Sequence, residues 1–460
     1  MRLADCATAF TLDAVPADVR ERATHLMLDA LGIALASTRY DFARQTLAAL
    51  RSLSGDGGEV PVIGHGLKLG LRDAAVMNGF LIHGLDYDDT HPRGVIHATT
   101  SVLPAALSVG VRQDASGADL LAAYVLGMEV TTRISAAAKG GFHKVGFHPT
   151  GLIGTFGAAL TAAKLQGLDA PAMAHAQGIA LSLASGNLEF LQDGAGTKRL
   201  HPGWAAASGI TAAALAQHGM TGPRAAYEGR FGLYASHLGA LAADCDLDGI
   251  TAGLGSVWET LNVAVKPLPA CHFTHACADA ASLLNGEWLA RSAQGATLRR
   301  IVARVPAGVM PVVCEPIEYK RRPQNAYDAQ FSIPYAVATG LRLGRFTLDA
   351  LEPSAISDPA TLALAALVEC EVDPDAEFPR YYPGEVILEF SDGRTVRHSE
   401  PINRGAPGRP ISHGDIAAKF HDNAARAVPR DHADHVLNAV LGIEKTGARE
   451  LARLLGTSFS

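Results

Sequence analysis

The 460-residue sequence has no long run of lysine or arginine, and its formal net charge is −7. Without a basic stripe, nucleic acid and anionic membrane surfaces are not expected partners. No segment reaches the ~20 uninterrupted apolar residues of a membrane span. The start, MRLADCATAFTLD, carries Asp5 and lacks the apolar centre of a signal peptide. The six cysteines are dispersed, with no C-x-x-C pair, which reads as reduced thiols rather than a disulfide framework. The expectation is a soluble cytoplasmic protein. H-E-x-x-H is absent, and Cys271 and Cys277 with interleaved His272 and His275 do not have a usual zinc spacing, so no metal is expected. G-x-S-x-G is absent too, and no cysteine stands in a clear nucleophile context, which argues against a serine or cysteine hydrolase.

Aromatic residues make up only 6% of a chain that is 48% hydrophobic. Alanine and glycine fill the difference, which points to closely packed helices rather than a β-sandwich. Val19, Ala23, Leu26, Ala30 and Ile33 form one apolar stripe of a helix over residues 16–37, with Pro16 in its first turn. Helices are expected over 43–53, 74–82, two from 104 to 138 broken near 114–117, then 152–165, 171–185 and 204–219. Residues 55–58 read as a turn and 60–64 as a short extended piece. Gly151, Gly154 and Gly157 follow no strand, so they read as helix-packing contacts and not as a dinucleotide site. Glu129 and Arg133, at i and i+4, can form a solvated or a buried ion pair.

The pattern changes near Lys266. Residues 298–305, 367–373 and 385–390 alternate as strands, and the turn at 391–393 leads to a short partner strand. Helical segments over 277–289 and 326–339 lie among them. The expected domains are 1–263 (helical), 264–401 (smaller, α+β) and 402–460 (helical again), with 404–410 as linker.

Five polar clusters interrupt the apolar helices: Asp86, Asp88, Asp89, Thr90, His91 and His97; His143 and His148; Lys198, Arg199 and His201; Lys266, Cys271, His272 and His275; and Arg321, Arg322 and Tyr335. If they converge, they form a positively charged pocket with imidazoles, suited to a small polycarboxylate and to proton transfer at carbon. Plainer roles compete. Asp88 or Asp89 can cap the next helix, His148 can start one, His91 and His143 can sit at the surface or behind the pocket, and His201 and His272 can be structural.

The chain resembles the MmgE/PrpD family. The segments that carry the likeness are GLDYDDT (84–90), GFHPTGLIGTFGAALTAAKLQGL (146–168), GTKRLHPGWAAASG (196–209), TGPRAAYEG (221–229), KPLPACHFTH (266–275) and AQFSIPYAVA (329–338). The resemblance implies a mostly α protein: a large all-helical domain built from both chain ends, plus a smaller α+β lid. It also implies a metal-independent active site between them, no cofactor, and a homodimer. The family's pocket residues fall by motif on Asp86, Thr90, His97, His148, Lys198, Lys266 and Tyr335, and His275 is added from the fourth cluster. His97 departs from the family pattern, since His-Ala-Thr stands where His-Pro-Ser is common. His272 stands where many relatives have arginine. The family includes 2-methylcitrate dehydratases, iminodisuccinate epimerases and cis-aconitate decarboxylases. The expected function is a lyase on a small di- or tricarboxylate, with water elimination first, epimerisation second and decarboxylation third. Lys198 and Lys266 would hold the carboxylate as charge builds, and His97 and His148 would move the proton. A non-catalytic carboxylate-binding scaffold is the alternative outside enzymes.

Overall fold

A computed structural model describes residues 2–54 and 57–459. Of the turn expected over 55–58, Gly55 and Asp56 lie outside the described residues. The chain is 60% helical and 8% strand, a mostly α fold with a smaller α+β part. It divides into two compact units, residues 1–265 with 412–460, and residues 266–411.

The first unit is helical. Its centre is Pro149–Leu165, buried from Pro149 to Ala163 and packed against Leu200–Gln217, Gly117–Ala137, Thr99–Gln113 and Ala170–Leu183. The small residues make this possible. A Cβ on Gly157 would stand 1.7 Å from the Thr131 hydroxyl oxygen, and one on Gly154 would stand 2.5 Å from that of Ser101. These glycines are helix contacts, as their spacing indicated. Glu129 and Arg133 form a buried pair at 3.2 Å, and Glu129 also accepts from the Glu259 and Thr260 amides.

The two chain ends meet in this unit, where His413–Ala424 packs on Ala17–Ser37. Lys419 lies 2.6 Å from Asp29 across that contact. Arg430–Leu441 and Ala448–Leu455 complete the return. Two short strands, β1 (Val60–Pro61) and β2 (Lys68–Leu69), pair antiparallel. The helix expected from Pro104 starts at Thr99, and Pro104 lies inside it. No helix among the described residues is long and apolar enough to cross a membrane.

The second unit is built on a four-stranded sheet of order β4-β3-β5-β6, with β3 Leu298–Val305, β4 Val368–Val372, β5 Gly384–Phe390 and β6 Thr395–Glu400. β3 runs parallel to β4 and antiparallel to β5. Val386, Leu388 and Phe390 are buried on one face, as the alternation required. Helices His275–Ala293 and Ile333–Leu343 pack on the sheet. The helix expected over 326–339 is two, Ala326–Gln330 and Ile333–Leu343, because Ser332 caps the second through the Tyr335 amide. Residues 402–411 belong here rather than to the helical return. Arg404 pairs with Asp279 at 2.9 Å, and Asn403 accepts from the Tyr382 amide and contacts His272.

Candidate active site

Helix ends of the first unit bring five chemical groups together. His83 is the C-cap of Leu71–Ile82, and His148 is the N-cap of Pro149–Leu165. His201 lies in the first turn of Leu200–Gln217, and Lys198 in the short turn before it. His97 stands two residues before helix Thr99–Gln113. Loops and termini on a rigid scaffold suit a site that needs precise geometry.

Asp88 is the hub. It is fully buried, and both its oxygens stand 3.0 Å from His83 Nδ1, while His97 Nδ1 lies 3.2 Å away. Burial would raise the Asp88 pKa, but His83 and His97 more than offset it and hold the carboxyl well below its usual range. His97 Nδ1 also lies 2.6 Å from the Asp89 carbonyl and 3.3 Å from the Thr90 hydroxyl. Oxygen acceptors thus surround Nδ1, so it carries the hydrogen and Nε2 remains for chemistry. His83 donates from Nδ1 in the same way, and burial lowers its pKa to about 4, so it is neutral at pH 7.

A second pair faces this one. His148 Nδ1 and His201 Nδ1 are 2.9 Å apart and share one hydrogen. Burial, then the neighbouring charged and ring groups, pushes His148 well below the usual imidazole range; burial lowers His201 to about 4. The His148 ring lies 5.7 Å from His83, tilted by only 24°, and 6.2 Å from His97. Phe190 closes the side, 5.8 Å from His148 and 5.9 Å from His201.

The loop that carries Asp86–His97 is held at many points. Thr90 and Ala264 exchange two backbone bonds of 2.8 Å. His91 accepts from the Gly94 amide and donates to Glu259 at 2.9 Å. Lys419 donates to the Tyr87 carbonyl at 2.9 Å and sits 3.7 Å above the Tyr87 ring. Asp89 accepts from Thr99, whose hydroxyl meets Tyr124 at 2.7 Å. Burial raises the Asp89 pKa to about 7. Asp86 and Val95 both have φ of 50°. Positive φ is strained for non-glycine residues, and this density of bonds is what maintains it.

Several expectations change. Neither Asp88 nor Asp89 caps a helix: the next one has Ala98 at its N-cap, and the two carboxyls face imidazoles and Thr99. His91 is fully buried, not at the surface. Lys198 donates to Asp86 at 2.8 Å, so its charge is offset by a partner carboxylate. The local cluster therefore holds three imidazoles kept neutral by burial, His83, His148 and His201, beside one ionised Asp88 and one ion pair. His83 was not among the sequence candidates. Its one signal is its place five residues before Asp88, at the end of an apolar helix that hides it.

The second unit holds the remaining candidates. Lys266 is 1% exposed, and its assignment rests on the resemblance. His275 is completely buried, donates from Nε2 to the Ala270 carbonyl at 3.1 Å, and is kept neutral by burial. Tyr335 is spent on the Ala350 carbonyl at 2.6 Å and packs edge-on to Phe346. That geometry makes His275 and Tyr335 core residues of the second unit and does not support the substrate contact expected of them. His272 meets the Asn403 amide nitrogen at 2.8 Å, so Nε2 accepts and Nδ1 carries the hydrogen.

By distance, His83, Asp88 and His97 can gather round a cation, since their ligand atoms lie within 4.8 Å of one another. Here the His83 Nδ1 hydrogen points at Asp88 and the His97 Nδ1 hydrogen at the Asp89 carbonyl beside it, an orientation that serves hydrogen bonding and turns each ring's Nε2 away.

Two family models cover the chain: the MmgE/PrpD N-terminal domain over residues 1–245 and the MmgE/PrpD C-terminal domain over 268–445. Among curated proteins, the chain is 27% identical to the cis-aconitate decarboxylase-like protein oryM of Aspergillus oryzae, over 94% of this chain and 91% of that one. It is 27% identical to a cis-aconitate decarboxylase of Aspergillus terreus (95% and 92% covered) and 30% identical to that of Homo sapiens (81% and 76%). With both halves matched, the chain belongs to the MmgE/PrpD family.

Proposed function

We propose that the protein is a lyase that removes carbon dioxide from a small unsaturated tricarboxylate of the cis-aconitate class. The observation that carries this reading is the setting of His97: the Asp89 carbonyl at 2.6 Å fixes Nδ1–H, the buried Asp88 carboxylate lies 3.2 Å from the same nitrogen, and Nε2 is left for the reacting carbon. The relatives supply the substrate class, and they reorder the three reactions expected from sequence.

In the proposed step the bond between the carbon frame and one carboxylate breaks. Its electrons delocalise onto the adjacent unsaturated carboxylate, and a proton is delivered to carbon. A proton on His97 Nε2 makes the ring cationic, and Asp88 offsets that charge at 3.2 Å. Lys198, shared with Asp86, would draw a substrate carboxylate into the pocket. Neutral His148 accepts or returns a proton from the other side. The same neutral His148 favours a second reading, in which it removes a proton next to a carboxylate and water leaves from a hydroxy-tricarboxylate such as 2-methylcitrate.

Incubation with cis-aconitate, 2-methylcitrate and iminodisuccinate in deuterium oxide, followed by proton NMR and carbon dioxide detection, separates these. Equimolar carbon dioxide with deuterium at one carbon of the product is expected from cis-aconitate. An alkene formed from 2-methylcitrate without carbon dioxide would transfer the assignment to elimination. Isotope exchange with inverted handedness in iminodisuccinate, and no other change, would overturn both. Binding without turnover of any of the three would leave a carboxylate-binding scaffold.

A further inference from the structure

A second group of ligand-type side chains lies in the first unit, outside the imidazole cluster. Glu21 and His25 are four residues apart on helix Ala17–Ser37 and so share one face. His413 is the first residue of helix His413–Ala424, whose start is fixed by the reciprocal Ser412–Asp415 capping box. His25 Nε2 lies 2.7 Å from His413 Nδ1 and 3.9 Å from Glu21 Oε1. All three ligand atoms fall within 4.8 Å of one another.

The surroundings suit a cation. His25 is buried, which fixes its ring, whereas Glu21 and His413 are exposed and able to adjust. A surface hollow of about 590 Å³ opens beside them and gives solvent access for entry and for water ligands. The nearby positive charges are Arg20, which donates to the Val15 carbonyl at 2.8 Å and pairs with Glu444 at 3.5 Å, Arg22, which donates to the Val263 carbonyl, and Lys445 on the rim.

We propose that Glu21, His25 and His413 form a site for a zinc-class divalent cation that staples the two chain ends together. Two imidazoles and a carboxylate match the borderline ligand preference of such ions, and water takes the fourth position. Zinc–nitrogen bonds of about 2.05 Å in a tetrahedron set the two nitrogens about 3.3 Å apart. The rings therefore part by roughly 0.6 Å from their hydrogen-bonded separation, and the shared hydrogen moves to the other nitrogen of its ring. The consequence is mechanical. Asp29, one turn after His25, is paired with Lys419, six residues after His413, and Lys419 holds the Tyr87 carbonyl of the active-site loop. A cation at the staple tightens the helix pair that anchors that loop.

The test uses the full chain, stripped with chelator and titrated with zinc ion by calorimetry, in the parent, in His413→Ala and in Asp88→Asn. His413 is exposed, so its replacement leaves the core intact. One ion per chain is expected in the parent and in Asp88→Asn, with affinity at least about tenfold weaker in His413→Ala, because a ligand bond is lost. Zinc ion at a hundredfold excess over its dissociation constant should raise the parent's thermal midpoint by several degrees and leave His413→Ala nearly unmoved. Unchanged affinity in His413→Ala overturns the proposal, as does a site lost in Asp88→Asn but kept in His413→Ala. Absence of binding below about 1 mM overturns it as well. These binding outcomes are independent of which lyase reaction the protein catalyses.

Discussion

Replacing Asp88 with asparagine tests the active-site reading most directly. The carboxylate accepts from His83 Nδ1 at 3.0 Å and lies 3.2 Å from His97 Nδ1, with no access to water. Asparagine has the same shape but one acceptor and one donor. It can satisfy one ring and must turn its amide hydrogens toward the other. That ring can escape by moving its hydrogen to Nε2. For His83 the escape is costly, because its Nε2 is buried without a partner. An orphaned buried donor costs ~1–3 kcal/mol, and a hydrogen bond to a charged acceptor contributes ~1.5–3 kcal/mol. Relief from burying a charge offsets part of this, so a net loss of about 2–4 kcal/mol is expected.

His97 is therefore the ring left facing the amide, and its Nδ1 hydrogen stays on the Asp89 carbonyl at 2.6 Å. The imidazolium that forms when Nε2 takes a proton then has no carboxylate 3.2 Å away to offset its charge. Turnover should then fall by about 10²–10⁴-fold, the scale of a lost general acid–base group. A pH series of urea denaturations adds a signature. The depressed Asp88 pKa contributes stability that is present above the ordinary carboxylate range and lost as pH falls through the folded-state value. The parent should therefore lose its advantage over Asp88→Asn in acid and keep it at neutral pH. Turnover within about threefold of the parent, with an unchanged denaturation midpoint at pH 7, would refute the assignment of Asp88 as hub.

Two further substitutions probe the frame. The Asp89 pKa is raised to about 7, so its contribution is present in acid and lost as pH rises through that value; at pH 8 an ionised Asp89 is buried at a cost of order 4 kcal/mol. Asp89→Asn should flatten the fall in stability between pH 4 and about 7, which urea titration across that range would read. Glu129 accepts from Arg133 Nε, from the Glu259 and Thr260 amides and from the Thr260 hydroxyl, all buried. Glu129→Gln turns an amide group against two of those donors and should cost about 2–4 kcal/mol, measured by the same method.

The helices were readable because their signals are local. The stripe through Val19, Ala23, Leu26, Ala30 and Ile33 needs only its own periodicity, and the strand alternation of β5 likewise. Boundaries failed where a nonlocal force decided them. Thr99 joins the helix ahead of Pro104 because its hydroxyl is tied to Asp89 and Tyr124, contacts that no window around Pro104 contains. The break at Ser332 is local instead, a capping bond to the Tyr335 amide inside an otherwise helical pattern. Glu129 and Arg133 could be paired from spacing alone, but the Glu259 and Thr260 amides that bury the pair lie about 130 residues away.

The acidic stretch Asp86–Asp89 shows why the site resisted the same treatment. Three carboxyls within four residues look alike in sequence, and capping is the natural reading for any one of them. In the fold each has a different fate, because the positive φ at Asp86 turns successive side chains into separate surroundings. Asp86 takes a lysine 112 residues away, Asp88 takes two imidazoles, and Asp89 is buried against the Thr99 hydroxyl and binds its proton near neutrality. Neighbouring groups whose environments drive their pKa values apart are the arrangement acid–base chemistry requires. Here that divergence comes from the partners, so composition could mark the loop while only the packing could say which carboxyl stays charged. The same logic explains the missed His83. An imidazole at the end of an apolar helix looks like core until the carboxylate that orients it comes into view.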